Sequence, residues 1–266
     1  MLFSGLAAAI SWIFWLPLAL VGTGASGPIR YLHLLGGLGP AAAGLVCAWW
    51  FGGRPALSLL LQRALLWQVP LRWHLVAWIG PFALLALAVL GANIVAGETL
   101  AAPFAPNLEF PELPLFVYWI AVLIFYGFGE EIGWRGFALP LLQKRFSPAL
   151  ATLILSVIWA AWHLPLFWFS PGLSSLGIGG MVGWCASLLT GAAILTWLTN
   201  STRGSILLAA VFHATMDLAF SPSVSPLATN LIGAAVTVWG IGTLVALLLP
   251  SRAAAITLPM KGDGQQ

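Results

Sequence analysis

The stretch GLAAAISWIFWLPLALV, residues Gly5 to Val21, carries no charged side chain, and its one hydroxyl is Ser11. A helix needs about 20 apolar residues to cross the hydrocarbon of a bilayer, and with its flanks this stretch is long enough. It has no basic segment ahead of it, and the exit Gly24-Ala25-Ser26 matches a signal-peptidase site only loosely, so it reads as a retained first helix. Seven more apolar stretches follow, centred near Leu45, Leu85, Ala121, Ser156, Leu189, Ala210 and Val238. The spacing predicts an all-α, polytopic transmembrane bundle of about eight helices. A chain of 266 residues that is 61% hydrophobic and 6% charged cannot assemble a water-soluble surface. No polar segment is left for a nucleic-acid module or a large ectodomain, so residues 1–266 read as a single membrane domain, and function must reside in the bundle.

The net charge of +3 reports topology rather than an anionic partner. Arg54, Arg63 and Arg72 fall between the second and third stretches, Lys144 and Arg145 between the fourth and fifth, Arg203 between the sixth and seventh, and Arg252 and Lys261 in the tail. These are alternate connections on one side, which the positive-inside rule makes cytoplasmic. Both termini are then cytoplasmic, with the plasma membrane as the expected location and residues 250–266 as a short cytoplasmic tail whose Gly262–Gln266 end looks disordered. Arg30 falls outside, together with Glu98, Glu109 and Glu112. The proline-rich loop from Gly97 to Leu113 is expected to be extended and exposed. Residues Gly52 to Trp73 break the apolar pattern, and Leu59 to Trp67 has the makings of a short helix lying in the interface. Cys47 and Cys185 sit inside apolar stretches and read as packing residues.

Against this background a few ionisable residues stand where they are expensive. Glu130, Glu131, Arg135, His163, His213 and Asp217 lie in apolar segments, where such groups face the bundle interior and mark functional sites. In Gly129-Glu130-Glu131-Ile132-Gly133-Trp134-Arg135-Gly136, Glu131 and Arg135 are four apart and can neutralise each other on one helical face. Glu130 points about 100° away and lacks that partner. Gly129, Gly133 and Gly136 thin one side of the helix, so a neighbour can approach closely. In Trp159-Ala160-Ala161-Trp162-His163-Leu164-Pro165, the proline has no N–H for the Ala161 carbonyl, which places a freed carbonyl near the imidazole. Trp159, one turn earlier, reads as packing that orients the ring. In His213-Ala214-Thr215-Met216-Asp217 the two polar groups share a face, either with Asp217 orienting the imidazole or with both contacting one water, substrate group or metal.

The three clusters can meet. Glu130, His163 and His213 lie thirteen, sixteen and ten residues from Gln143, Ser147 and Arg203, the expected cytoplasmic helix ends, or about 20, 24 and 15 Å along their helices. Ordinary tilts bring those depths to one level. One carboxylate and two imidazoles in a partly dry cavity can deprotonate water, stabilise an oxyanion and protonate a leaving amine, and Glu130, desolvated with its nearest cation claimed by Glu131, suits the role of general base. The same set could hold Zn²⁺ through His163, His213 and Asp217, although the chain has no His-Glu-x-x-His motif. A serine mechanism has only Gly24-Ala25-Ser26-Gly27, which resembles the Gly-x-Ser-Gly string of rhomboid-type proteases but has no apolar helix around it to shelter the serine.

These motifs resemble those of the CPBP family, also called Abi, which comprises CAAX prenyl protease 2 and bacteriocin-processing or self-immunity proteins. The family's two glutamates, three variable residues and an arginine are met by Glu130, Glu131 and Arg135. Its aromatic four residues before a histidine is similar to Trp159 and His163, with Trp where Phe is usual. Its histidine four residues before Asn or a related residue resembles His213 and Asp217, with Asp where Asn is frequent. The resemblance covers roughly Leu113 to Phe220. It implies an intramembrane endopeptidase, with Glu130 activating water, His163 aiding it, and His213 with Asp217 stabilising an oxyanion or holding a metal. Members are described as metalloproteases, yet a metal-free, glutamate-dependent mechanism also fits, so the implied cofactor is zinc or none. The implied partners are a peptide or protein substrate, prenylated or not, and the lipid bilayer, with no nucleic acid. Two other classes place acids and histidines at mid-membrane: a proton-coupled transporter, and a non-catalytic immunity or scaffold protein. No internal repeat supports inverted transporter halves; a pH-gradient-dependent flux would mark the transporter, and tight substrate binding without product the immunity or scaffold protein.

Overall fold

The computed structural model describes residues 1–97, 109–220, 225–249 and 257–261. Among these residues there are helices and turns and no strand. The principal helices are α1 (Leu2–Val21), α2 (Tyr31–Gly36), α3 (Gly39–Ala64), α4 (Leu71–Trp78), α5 (Gly80–Ala96), α6 (Leu115–Gln143), α7 (Pro148–Trp162), α8 (Leu166–Phe169), α9 (Ile178–Ser201), α10 (Ile206–Ala219) and α11 (Pro226–Leu248). The chain is an all-α polytopic bundle.

Local chemistry sets several of these boundaries. Ser147, Ser205 and Ser225 each accept a backbone N–H of the first turn, at 3.3, 3.2 and 3.1 Å, and so start α7, α10 and α11. Gly97, left-handed at φ 67°, closes α5 by donating to the Asn93 carbonyl. Inside α3, Gly53 adopts φ 66° and breaks the helix just before Pro55. The limb beyond it is amphipathic, as expected for an interfacial helix: Ala56 and Leu60 face inward, while Leu61 and Leu65 are exposed.

All eight apolar stretches are helical, but they are not equivalent. Among the described residues five helical segments are long and apolar enough to cross a membrane, and α4 with α5, bent by 46°, makes a sixth. The remaining two, α7 and α10, have 15 and 14 residues. Helix α7 is short because Pro165 cannot continue it. Helix α10 is surrounded by protein, with Leu208, Ala209, Ala210 and Val211 all at or below 1% exposure, so its length answers to its neighbours and not to a lipid face.

Helix α10 packs against α4, α5 and the first half of α6, while α3 packs along the second half of α6 and α1 along α3. The backbone of α6 widens into π-turns at Leu123–Phe128 and Ile132–Ala138, on either side of Gly129–Glu131. Such widenings re-aim side chains and recur at functional sites. The close approach expected of the glycines is present: a Cβ on Gly129 would strike the Gly37 carbonyl, and one on Gly133 would strike the Pro40 carbonyl.

Two expectations need correction. Arg63 is not a loop residue. It lies at the inward end of α3, 3% exposed, and donates to the carbonyls of Gly204 at 2.9 Å, Gly136 at 2.9 Å and Arg135 at 3.1 Å. The loop after α5 is not simply extended and exposed. Residues 98–108, including Glu98, lie outside the described residues, but Phe110 is buried and Glu109 and Glu112 are bonded to α2 and the turn before it. Part of the tail is held against the bundle. Arg252 and residues 262–266 are outside the described residues, whereas Leu258 is fully buried, its carbonyl accepts from Lys144 Nζ at 3.0 Å, and Lys261 N–H donates to the Phe51 carbonyl at 2.7 Å.

Candidate active site

Helices α6, α7 and α10 bring Glu130, His163 and His213 together around one side chain, Trp159. Glu130 sits on the short turn between the two π-turns of α6 and is 4% exposed. Its Oε2 accepts a hydrogen bond from Trp159 Nε1 at 2.7 Å. His163, the residue that ends α7, donates from Nδ1 to the Trp159 carbonyl at 2.7 Å. A carbonyl only accepts, so Nδ1 carries the proton, and in the neutral ring Nε2 is the basic nitrogen. The indole also meets the His163 and His213 rings, with centroids 5.5 and 5.7 Å away.

The Glu131–Arg135 pair forms as expected, at 2.8 Å and with both side chains fully buried. Glu131 does more than neutralise the arginine, however. Its Oε1 also accepts from His213 Nδ1 at 2.8 Å, so the second glutamate of the motif orients the second histidine. On the opposite side of that ring, Nε2 lies 3.7 Å from Asp217 Oδ2, too far for a hydrogen bond but close enough for charge interaction. The Arg135 guanidinium stacks 4.6 Å over the Trp159 ring.

Two local readings change. Trp159 is more than packing, since both its indole N–H and its carbonyl are bonded within the cluster. The Ala161 carbonyl freed by Pro165 is not left open, because Leu164 N–H donates to it at 3.2 Å. It is the Trp159 carbonyl that meets the imidazole.

The candidate metal set does not converge. Among the described residues no three His, Cys, Asp or Glu side chains are grouped so that they could hold one ion. His213 turns its nitrogens to Glu131 and Asp217, and His163 turns Nδ1 to a backbone carbonyl. The donor set as arranged does not fit a zinc ion. Ser26, from the alternative serine string, is exposed in a turn after α1.

The wall behind His163 escaped the sequence reading. Trp162 Nε1 donates to Ser11 Oγ at 2.8 Å, Trp12 Nε1 donates to the Trp162 carbonyl at 3.0 Å, and Trp15 Nε1 donates to the His33 carbonyl at 3.0 Å. His33 in turn bonds Glu109 through Nδ1 at 2.6 Å. A signal for His33 existed, because it too is a titratable residue within an apolar run, Tyr31 to Leu35. Its partner, 76 positions away, left no such trace.

Comparison with known proteins points to the same segment of the chain. Residues 112–219 match the family described as type II CAAX prenyl endopeptidase Rce1-like. This segment belongs to the CPBP family. The match holds all the residues of the three motifs, on α6, α7 and α10. CAAX prenyl protease 2 of Methanococcus maripaludis is 33% identical over 93 residues, which cover 34% of this chain and 34% of that protein. The alignment thus spans about a third of the relative's length. With its apolar helices and this CPBP segment, the chain is an integral membrane protein.

Proposed function

We propose that this chain is a glutamate-dependent intramembrane endopeptidase, with residues 113–220 as the catalytic core of one membrane domain. The observation that carries the reading is the meeting of Glu130, His163 and His213 around Trp159 in the interior of an apolar bundle. Three groups from three helices, each costly at that depth, converge only where chemistry needs them.

In the proposed reaction Glu130, held through Oε2 by Trp159, takes a proton from water through its other oxygen. The hydroxide adds to the scissile carbonyl. His213, oriented by Glu131, stabilises the charge that develops on the carbonyl oxygen, and Asp217, 3.7 Å from its Nε2, favours the charged imidazolium that this needs. His163 assists at Nε2 and helps pass that proton to the leaving nitrogen as the C–N bond breaks, which consumes the water, leaves a new carboxyl end and a new amino end, and returns Glu130 to its starting form. Zinc is not assigned a step. A peptide or protein entering from the side of Lys144, Arg203 and Lys261 is the proposed substrate, with that side cytoplasmic, as are both termini, in the plasma membrane. The name of the relative, a CAAX prenyl protease, makes peptides ending in Cys-aliphatic-aliphatic-X, with and without a prenyl group, the first substrates to try.

The test is cleavage by the purified protein in liposomes, followed by mass spectrometry. His163→Ala is expected to remove cleavage while leaving the protein inserted and folded, and 1,10-phenanthroline is expected to leave the wild-type rate unchanged. Full turnover by the variant would refute the assignment of the site. A pH-gradient-driven flux without any product would instead identify a transporter.

A further inference from the structure

Trp159 touches each member of the cluster through a different part of itself. The indole N–H reaches Glu130, the ring face lies under Arg135, the ring edge meets both imidazoles, and the backbone carbonyl holds His163. The side chain is itself buried, at 7% exposure. A phenylalanine, the more usual residue in this motif, would fill much of the same space and keep ring contacts with the histidines. It would offer Glu130 no hydrogen.

That difference matters because of what surrounds Glu130. The nearest arginine is bound to Glu131 at 2.8 Å, so the Glu130 carboxylate is not anchored by an ion pair. Carboxylate rotation about its terminal torsion is soft, and a buried carboxylate without a fixed donor samples several planes. An N–H at 2.7 Å is at the short, charge-assisted end of hydrogen-bond lengths. The guanidinium over the indole face draws electron density from the ring, which makes its N–H a better donor.

We infer that Trp159 is a positioning residue, an indole clamp that holds one oxygen of Glu130 and thereby presents the other to the water it activates. The inference rests on the proposed role of Glu130 as the base. It assigns the tryptophan a function in the reaction that its packing contacts alone do not require. Misplacing a reacting group by a fraction of its length costs rate and not substrate affinity.

The experiment replaces the N–H and nothing else. Trp159→3-benzothienylalanine, introduced site-specifically, keeps a bicycle of the same shape with sulfur in place of N–H; Trp159→Phe is made beside it, and Glu130→Gln serves as the reference. For each protein kcat, KM and the melting temperature in detergent are measured on one peptide substrate. The isostere is expected to melt with the wild type and to lose about tenfold or more in kcat at unchanged KM. An isostere with wild-type kcat overturns the positioning role while leaving the base assignment intact. Cleavage that survives Glu130→Gln overturns the base assignment, and the clamp with it. If Trp159→Phe fails to fold, the isostere alone decides.

Discussion

Among the described residues two histidine–glutamate pairs lie in this bundle, and their surroundings are opposite. At the candidate site His213 Nδ1 bonds Glu131 at 2.8 Å; behind the wall formed by Trp15 and Trp162, His33 Nδ1 bonds Glu109 at 2.6 Å. Bond lengths and atoms are nearly the same. The surroundings are not. His213 has a second carboxylate, Asp217, at its other nitrogen, and its glutamate also holds Arg135. His33 is packed by the rings of Trp15, Tyr126 and Phe169 at 6.1, 5.4 and 5.1 Å. Beside it, Arg30 donates to the Glu109 carbonyl and pairs with Glu112 at 3.0 Å, and Tyr31 bonds Glu112 at 2.8 Å. The first pair has a second carboxylate at its other nitrogen and belongs to the cluster proposed to carry the reaction. The second fastens residues 109–112 to α2. A histidine bonded to a glutamate is therefore not in itself a mark of catalysis; what the second ring nitrogen meets separates the two.

Breaking each arrangement should separate them further. The largest effect is expected from Glu130→Gln, which keeps the shape of the side chain but removes its basicity: cleavage should fall by about 10³-fold or more, measured as kcat on a peptide substrate. Glu131→Gln should come next, lowering kcat by about 10–100-fold through a misoriented His213. It should also destabilise the fold by about 3–5 kcal/mol, because the fully buried Arg135 loses its partner, and the melting temperature in detergent would register this. At the second pair the balance should invert. His33→Phe is expected to cost about 1–3 kcal/mol from the lost buried hydrogen bond while kcat stays within about threefold, a change no larger than ordinary repacking gives; a loss of activity matching that of Glu131→Gln would erase the distinction between the pairs. The smallest effect belongs to Arg30→Gln. Its bridge to Glu112 is exposed on the carboxylate side, at 41%, and exposed bridges contribute little, so turnover should not move and the melting temperature should report only the lost bond to the Glu109 carbonyl, about 1 kcal/mol.

The helices of the bundle were legible because each apolar stretch announces itself locally. The motif residues were legible for a related reason: Glu130, His163 and His213 are conspicuous against lipid-compatible neighbours, and Glu131–Arg135 and His213–Asp217 each lie on one helical face. Bonds between helices were not legible. Glu131 reaches His213 across 82 positions, and Trp159 reaches Glu130 across 29. Such contacts depend on how the helices cross, which the spacing within one helix does not encode. Two features misled the reading outright. Arg63 looked like a loop cation because charge near a helix end suggests water, yet three backbone carbonyls satisfy it in the interior. Counting helices as spans also treated length as fixed by lipid, whereas α10 is enclosed by other helices and owes its length to them.

Arg63 has a mechanical meaning as well. Its three bonds gather the end of α3, the Arg135–Gly136 stretch of α6 and Gly204 just before α10 into one knot. Glu130 lies five residues from Arg135 and His213 nine from Gly204, lever arms of about 7.5 and 14 Å along their helices. The knot holds α6 within its second half and α10 at its start, so the two helices cannot slide past one another there without breaking buried bonds. A displacement of either is passed to both halves of the site, which makes a residue far from the cluster part of its alignment.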